Sequence, residues 1–174
     1  DKTYSTTLEF ANNQSGKTFT SEINVTDSGT LEDLDVKFNM TAGEANDLSF
    51  VIMSPYGTTV QLKKVNQTSG LFYATIFDDE ANNEITSGSP PYAGRFKPDN
   101  SSNNKLSSFD AESITGVWKL VVYNRANYAV NLEWELMMNP NGEVLKVKKD
   151  GTGDFTTIQG AIDASIDRDT ILVS

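Results

Sequence analysis

The chain contains no cysteine and no histidine, and these two absences exclude most of the common catalytic chemistry. Without cysteine there is no disulfide, no thiolate nucleophile and no sulfur ligand for a metal. Without histidine there is no imidazole base for a serine nucleophile and no imidazole ligand for zinc. Any bound metal is therefore expected to be a hard ion that prefers oxygen ligands. These residues are not expected to form an enzyme.

Positive charge is also scarce, since 14 lysines and arginines face 24 aspartates and glutamates, giving a formal net charge of −10. Such an acidic chain repels phosphate backbones and anionic lipid headgroups, so neither nucleic acid nor a membrane is expected as a partner. No apolar run is long enough to span a bilayer. An acidic chain without cysteine is compatible with a secreted or cell-surface protein of a bacterium.

One stretch predicts a β-hairpin. Leu48, Phe50 and Ile52 are spaced two residues apart, so they share one face of a strand. Residues 54–57 then place proline second and glycine fourth, which is typical of a type I turn, after which the alternation resumes. Asp47 lies at the mouth of this hairpin.

Several other segments also predict strands, and no helix interrupts them. They lie at 7–10, 17–25, 34–40, 71–77, 94–96, 116–123 and 132–138. Short strands at this spacing favour an all-β fold, an antiparallel β-sandwich. We expect a jelly roll in preference to an immunoglobulin topology. Trp118 and Trp134 alternate with aliphatic residues and are expected in the core, whereas Tyr56, Tyr92 and Tyr128 are expected on exposed loops.

The pattern changes at the turn residues 139–142, which predict a boundary between domains 1–139 and 140–174. Thr156 and Gln159 have the spacing of a helix capping box. The elements expected after the boundary are a strand at 144–148, a helix at 156–165 and a strand at 170–173. A unit of this size cannot bury a core of its own, so it is interpreted as a truncated remnant of a larger fold.

The hairpin pattern of Asp-Leu, alternating apolar residues and Ser-Pro-x-Gly-Thr resembles the P domain, or Homo B domain, of kexin-like and bacterial subtilisin-type proteases. Further segments similar to this family are 23–25, 34–40, 77–81, 94–98, 116–120 and 132–136. The resemblance covers about residues 5–138 in the right order. It departs from the family at Ala42, where a histidine is frequent, and at Asn124, where an aspartate is frequent.

This resemblance implies a jelly-roll accessory domain that is itself non-catalytic. In the proteases it stabilises or regulates a separate subtilisin-like catalytic domain, so the expected partners are adjacent domains of the same polypeptide. The chain looks like one such accessory part of a secreted multidomain protein.

Calcium is the expected cofactor. Asp47, Asp78, Asp79 and Glu80 are carboxylates at predicted strand ends, which could converge in a sandwich. The resemblance adds Asn124 as a carbonyl ligand, and backbone carbonyls and water would complete the six to eight oxygens that calcium needs. The alternative is that these acidic residues are solvated on loops.

Residues 147–173 carry a second resemblance, to the N-terminal cap of right-handed parallel β-helix proteins such as pectin esterases and polysaccharide lyases. The similar segments are Asp-Gly-Thr-Gly-Asp-Phe-Thr-Thr-Ile-Gln at 150–159 and Asp-Thr-Ile-Leu-Val at 169–173. It implies a β-helix downstream. The alternative function is therefore a carbohydrate-binding module that targets a polysaccharide-active β-helix enzyme to polysaccharide.

Overall fold

The computed structural model describes residues 2–99, 105–141, 144–164 and 170–173. The strands are β1 (Lys2–Phe10), β2 (Lys17–Val25), β3 (Thr30–Ala42), β4 (Leu48–Met53), β5 (Thr59–Lys63), β6 (Thr75–Phe77), β7 (Gly94–Phe96), β8 (Gly116–Asn124), β9 (Val130–Asn141), β10 (Val144–Val147) and β11 (Thr170–Val173). Short 3-10 helices lie at Ala45–Asp47, Ile85–Ser87 and Leu106–Phe109, and the α-helix α1 lies at Ile158–Ala164.

Strands β1 to β9 form two sheets that pack face to face. One sheet has the order β1-β9-β3-β6-β7 and the other the order β2-β8-β4-β5. Consecutive strands from β1 to β4 thus alternate between the sheets, and strands from both ends of the chain are neighbours within each sheet. This is the order of a jelly roll, so the predicted all-β sandwich is confirmed.

The predicted hairpin is confirmed as β4 and β5, which pair antiparallel with Ile52 opposite Val60. In the turn, the Gly57 N–H donates a hydrogen bond to the Ser54 carbonyl oxygen at 3.0 Å. Gly57 has a φ of 88°, a left-handed conformation that glycine adopts without steric cost. The turn residues therefore set the strand pairing as the sequence indicates.

The structure differs from the prediction at 71–77, where only Thr75–Phe77 is a strand. Ala74 has a φ of 49°, a left-handed conformation that an extended strand does not contain. Its N–H donates a hydrogen bond to Oδ1 of Asn39 at 2.7 Å instead of continuing the ladder. The short β6 also pairs parallel with β7, an exception to the antiparallel pairing of the sandwich.

The core lies between the two sheets and contains a cluster of aromatic rings. Phe38 of one sheet and Phe50 of the other stack with ring centroids 4.9 Å apart. Trp118 and Trp134 are fully buried, as predicted from their alternation. Their indole N–H groups donate to the Ile114 carbonyl oxygen and to Oγ of Ser21, each at 2.9 Å, so neither tryptophan leaves a polar atom unpaired in the core.

The elements after β9 form a strand-helix-strand unit, as predicted, in which β10 and β11 pair parallel. Val147 and Ala161 form a small buried cluster separate from the sandwich core. The cap of this helix is Thr157 and not the predicted Thr156, because Thr157 Oγ1 accepts the Gly160 N–H at 3.1 Å and the helix begins at Ile158. Residues 139–141 of the predicted turn are part of β9, and residue 142 lies outside the described residues.

Candidate functional site

An acidic pocket of about 310 Å³ opens on the outer face of the β1-β9-β3-β6-β7 sheet. Four carboxylates and one guanidinium line it, those of Asp33, Asp35, Asp78, Glu80 and Arg95. We refer to these five residues as the acidic pocket. It gathers more titratable side chains than a second pocket near Val130, where Glu9 is the one acid of the lining, so it is the candidate site.

Three strands position the acidic pocket. In β3, Leu34 and Val36 are buried in the core, so the intervening Asp35 points to the outer face. Phe77 at the end of β6 pairs with Val36, which brings the following Asp78 beside Asp35. Arg95 lies on β7, the next strand of the sheet.

A single nitrogen of Arg95 joins the two buried carboxylates of the pocket. Its Nη1 donates to Oδ2 of Asp35 at 2.6 Å and to Oδ2 of Asp78 at 2.7 Å. Glu80 adds a backbone N–H that donates to Oδ1 of Asp78 at 2.7 Å. The loop after β6 is therefore fastened to β3 through Arg95.

The carboxylates of the pocket titrate differently because only some are compensated. Burial raises the pKa of Asp78, but the hydrogen bonds from Arg95 and from the Glu80 N–H outweigh it and hold that pKa below its ordinary value. Burial raises the pKa of Asp35, and Arg95 offsets this only in part because Asp78 and Asp33 add negative charge. Burial and the neighbouring Asp78 and Asp33 also raise the pKa of Glu80. The Arg95 guanidinium thus pairs with two of the four acids of the pocket.

Asp79, the next predicted ligand, has a different role. Its Oδ1 accepts the Leu106 N–H at 2.9 Å, and its Oδ2 accepts both the N–H and the hydroxyl of Ser107 at 2.9 Å. These donors lie at the start of the 3-10 helix at Leu106–Phe109, so Asp79 caps this helix.

Asp47 and Asn124 lie near the start of β4. The Asp47 carboxylate accepts hydrogen bonds from Arg125, with Oδ1 at 2.6 Å from Nη2 and 3.1 Å from Nε. The buried Asn124 side chain donates to the carbonyl oxygens of Gln14 and Ala126 and accepts the Ala126 N–H. Both side chains therefore brace loops at this end of the sandwich.

The structure does not bring the five predicted calcium ligands together. Asp78 lies beside Asp35, in the first half of β3. Asp47 comes after the other end of β3 in the chain, since β3 ends at Ala42. The seven residues from Asp35 to Ala42 span about 23 Å at a rise of about 3.3 Å per residue. Calcium ligands lie about 2.3–2.6 Å from the ion, and Asp47 pairs with Arg125 whereas Asp78 pairs with Arg95, so the structure does not place these two carboxylates around one ion.

Within residues 2–99, 105–141, 144–164 and 170–173, no three acidic, histidine or cysteine side chains are grouped to hold a metal ion. The five residues predicted as ligands, Asp47, Asp78, Asp79, Glu80 and Asn124, occupy at least three places with separate protein partners, and their role as calcium ligands stays a prediction. Bound calcium itself stays a prediction.

Sequence reasoning missed three residues of structural importance, Asp35, Arg95 and Lys63. The alternation of Asp33 and Asp35 with Leu34 is a signal that would have indicated an outward acidic pair, but no local pattern gives their partner Arg95, which is 60 residues from Asp35 in the chain. No local pattern signalled Lys63.

Lys63 is fully buried at the end of β5. Its Nζ donates to the carbonyl oxygens of Ala45 and Leu48 at 2.6 Å each, and lies 5.7 Å from the Phe50 ring centroid. Burial lowers the pKa of Lys63 to about 7, a shift that the negative charges of Asp47 and Glu44 oppose.

The predicted exposed tyrosines divide. Tyr56 and Tyr128 are exposed, at 66% and 58%. Tyr92 is 4% exposed, so its prediction was wrong. Its ring packs edge to face against Phe72 at 5.5 Å, and its hydroxyl accepts the Ser69 N–H at 3.0 Å. The loop around Tyr92 is thereby folded onto the core.

The model of the proprotein convertase P-domain family matches residues 31–138, which is more than half of the chain. This region contains β3 to β8 and most of β9. Among curated proteins, none matches the chain.

Two of the solved structures that match the chain are of an Aeromonas sobria serine protease. One is a serine protease of Aeromonas sobria, with 13% identity over 77% of this chain and a TM-score of 0.42. The other is the complex of the Aeromonas sobria serine protease with the chaperone ORF2, with 13% identity over 77% of this chain and a TM-score of 0.45. The present chain spans 26% of the length of each of those chains. None of the described helices is long and apolar enough to cross a bilayer.

Proposed function

Because the chain belongs to the proprotein convertase P-domain family, we propose that it is a non-catalytic accessory domain of a secreted bacterial polypeptide. In this proposal it stabilises or regulates a subtilisin-like serine endopeptidase domain of the same polypeptide. The family match over residues 31–138 is the observation that carries the proposal.

The chemistry of the chain supports a non-catalytic role. The sequence offers no histidine or cysteine, so a serine hydroxyl has no imidazole to take its proton. Asp78 and Asp79, which could otherwise act on a substrate, are engaged by Arg95 and by the 3-10 helix at Leu106–Phe109. Their geometry favours holding the fold together.

Deletion of residues 1–139 from the natural polypeptide tests this proposal. We expect the 174-residue chain to show no peptidase activity on its own. We also expect the deletion to lower the melting temperature or the specific activity of the protease domain. Hydrolysis of peptides by the isolated chain, or an unchanged protease after the deletion, would contradict it.

Residues 140–174 carry a separate proposal, that they cap a parallel β-helix. The parallel pairing of β10 with β11 supports it, because parallel strands are normally covered on both faces. Four apolar side chains of this unit are about half exposed, those of Ile158, Ile162, Leu172 and Val173. Hydrogen exchange at β11 tests the proposal: its amides should be more protected in the natural polypeptide than in the 174-residue chain.

In the alternative function, a carbohydrate-binding module, Trp118 and Trp134 cannot stack on a sugar, because both side chains are buried. It would have to use exposed tyrosines such as Tyr56, Tyr73 and Tyr128. A glycan array with the isolated chain separates the two functions, since the accessory role predicts no specific binding.

A further inference from the structure

We propose that the Arg95 guanidinium is a built-in cation that takes the place of a metal ion in the acidic pocket. It holds the loop after β6 to β3 without calcium. The proposal concerns the stability of the sandwich and does not depend on the proposed accessory function.

The position of the Arg95 Nη1 atom is the first argument. It lies 2.6 Å from Oδ2 of Asp35 and 2.7 Å from Oδ2 of Asp78. Calcium binds carboxylate oxygens at about 2.3–2.6 Å, so Nη1 is close to where an ion that bridged these two oxygens would lie. One nitrogen bridges two carboxylates here, whereas the usual paired geometry joins two nitrogens of a guanidinium to one carboxylate.

The charge of the pocket is the second argument. Asp35 and Asp78 are buried, at 7% and 4% exposure, and Asp33 and Glu80 add two more acids. A buried carboxylate without a positive partner strongly destabilises the folded state. A guanidinium remains charged at all working pH values, and its covalent attachment makes the compensation independent of the calcium concentration.

The connections of the pocket give the cation its structural role. Arg95 lies on β7, Asp35 on β3, and Asp78 in the loop that follows β6. The Asp78 N–H also donates to the Phe96 carbonyl oxygen at 2.9 Å. The Arg95 side chain therefore joins three segments of chain, as a bridging metal ion would.

Thermal melting with and without calcium tests the proposal on the 174-residue chain. We expect calcium, compared with chelator, to change the melting temperature of the wild type and of Asp78→Asn by the same amount, since the acidic pocket binds no ion in either protein. Arg95→Ala should melt about 5 °C lower in chelator, since a pair with a half-exposed partner contributes a few kcal/mol at most. Calcium should restore at least half of that loss, because the variant leaves the Asp35 and Asp78 carboxylates facing an open position in a pocket that Asp33 and Glu80 also line.

Two variants serve as controls. Arg95→Lys keeps a positive charge in the pocket, so calcium should change its melting temperature little. Arg125→Ala removes the arginine that pairs with Asp47, outside the acidic pocket, so calcium should restore nothing. If Arg95→Ala does not fold, Arg95→Gln replaces it, since glutamine keeps hydrogen-bond donors without the charge.

Calorimetry completes the test. We expect no heat of calcium binding at the pocket of the wild-type protein and measurable heat with the Arg95 variant. Two results would overturn the proposal: calcium stabilisation of the wild type that Asp78→Asn abolishes, or stability of Arg95→Ala (or of Arg95→Gln in its place) that calcium leaves unchanged. Neither result bears on the peptidase test above, so failure of this proposal and of the accessory function can be told apart.

Discussion

Replacement of Lys63 by methionine is predicted to remove a pH dependence of stability. Burial lowers the pKa of Lys63 to about 7 in the folded protein, whereas an unfolded lysine titrates near pH ~10.4. Between these values the unfolded chain binds a proton that the folded chain does not. The free energy of unfolding therefore rises with pH in this window.

The expected magnitude follows from this linkage. One proton of difference changes the free energy of unfolding by about 1.4 kcal/mol per pH unit. From about pH 7.5 to about pH 9.5, wild type should gain about 2 kcal/mol relative to Lys63→Met. The comparison stops below pH ~10 because tyrosines of the unfolded chain ionise there. Burial and a hydrogen bond to Asp27 raise the pKa of Tyr4 in the folded protein, so Tyr4 would add its own pH dependence above that value.

Urea unfolding followed by tryptophan fluorescence is the assay. Trp118 and Trp134 are the only tryptophans of the chain and both are in the sandwich core, so the signal reports on the sandwich. Lys64→Met is the matched control, because the neighbouring Lys64 is half exposed, although its ammonium pairs with the buried carboxylate of Asp99. It should keep the wild-type pH dependence.

The difference in slope, not the absolute stability, decides the outcome. Lys63→Met leaves the Ala45 and Leu48 carbonyl oxygens without their lysine donor, which costs about 1–3 kcal/mol for each group left unsatisfied. Parallel pH profiles for wild type and Lys63→Met would refute the reasoning. They would mean that the two carbonyl oxygens and nearby acids keep the ammonium charged as easily as water does.

Three further substitutions test the packing and the capping by urea unfolding. Trp134→Phe should lower the free energy of unfolding by about 2–4 kcal/mol, because it leaves a cavity and removes a buried hydrogen bond. Tyr73→Phe, at an exposed ring, is the control and should change the free energy of unfolding by no more than about 0.5 kcal/mol. Equal losses in the two variants would contradict the assigned core. Asp79→Ala should lose about 1–2 kcal/mol and speed hydrogen exchange at the start of the 3-10 helix that it caps, and unchanged exchange would remove that role. Gly88→Ala places a methyl group 2.8 Å from the Tyr92 ring and should lose about 1–3 kcal/mol; a neutral result would show that the ring moves easily.

The alternation of side chains was enough to predict the sandwich. In β4, β8 and β9, every second residue is buried, and this period is a property of the strand alone. The turn before β5 could also be predicted from the sequence, because its proline and glycine determine the backbone conformation locally. Strand ends were less readable: β6 is short because Ala74 turns away to meet Asn39, a contact 35 residues away in the chain.

The candidate site required the tertiary structure. The acidic residues at the strand ends were visible in the sequence, but their partners were not, because Arg95 lies 60 residues from Asp35 and Arg125 lies 78 residues from Asp47. The acidic residues at these strand ends were predicted to form one calcium site. In the structure they lie at separate places, and Arg95 pairs with Asp78 and with Asp35.

The fold class, the hairpin and the absence of imidazole and thiol chemistry follow from residue type or from spacing within one strand. The charge pairs follow from the packing of the sheets, because most strands that are neighbours in a sheet of this jelly roll are far apart in the chain. The same packing buries the Lys63 side chain against two backbone carbonyl groups. Charge pairing and burial depend on how the sheets pack, and that packing is a property of the whole chain.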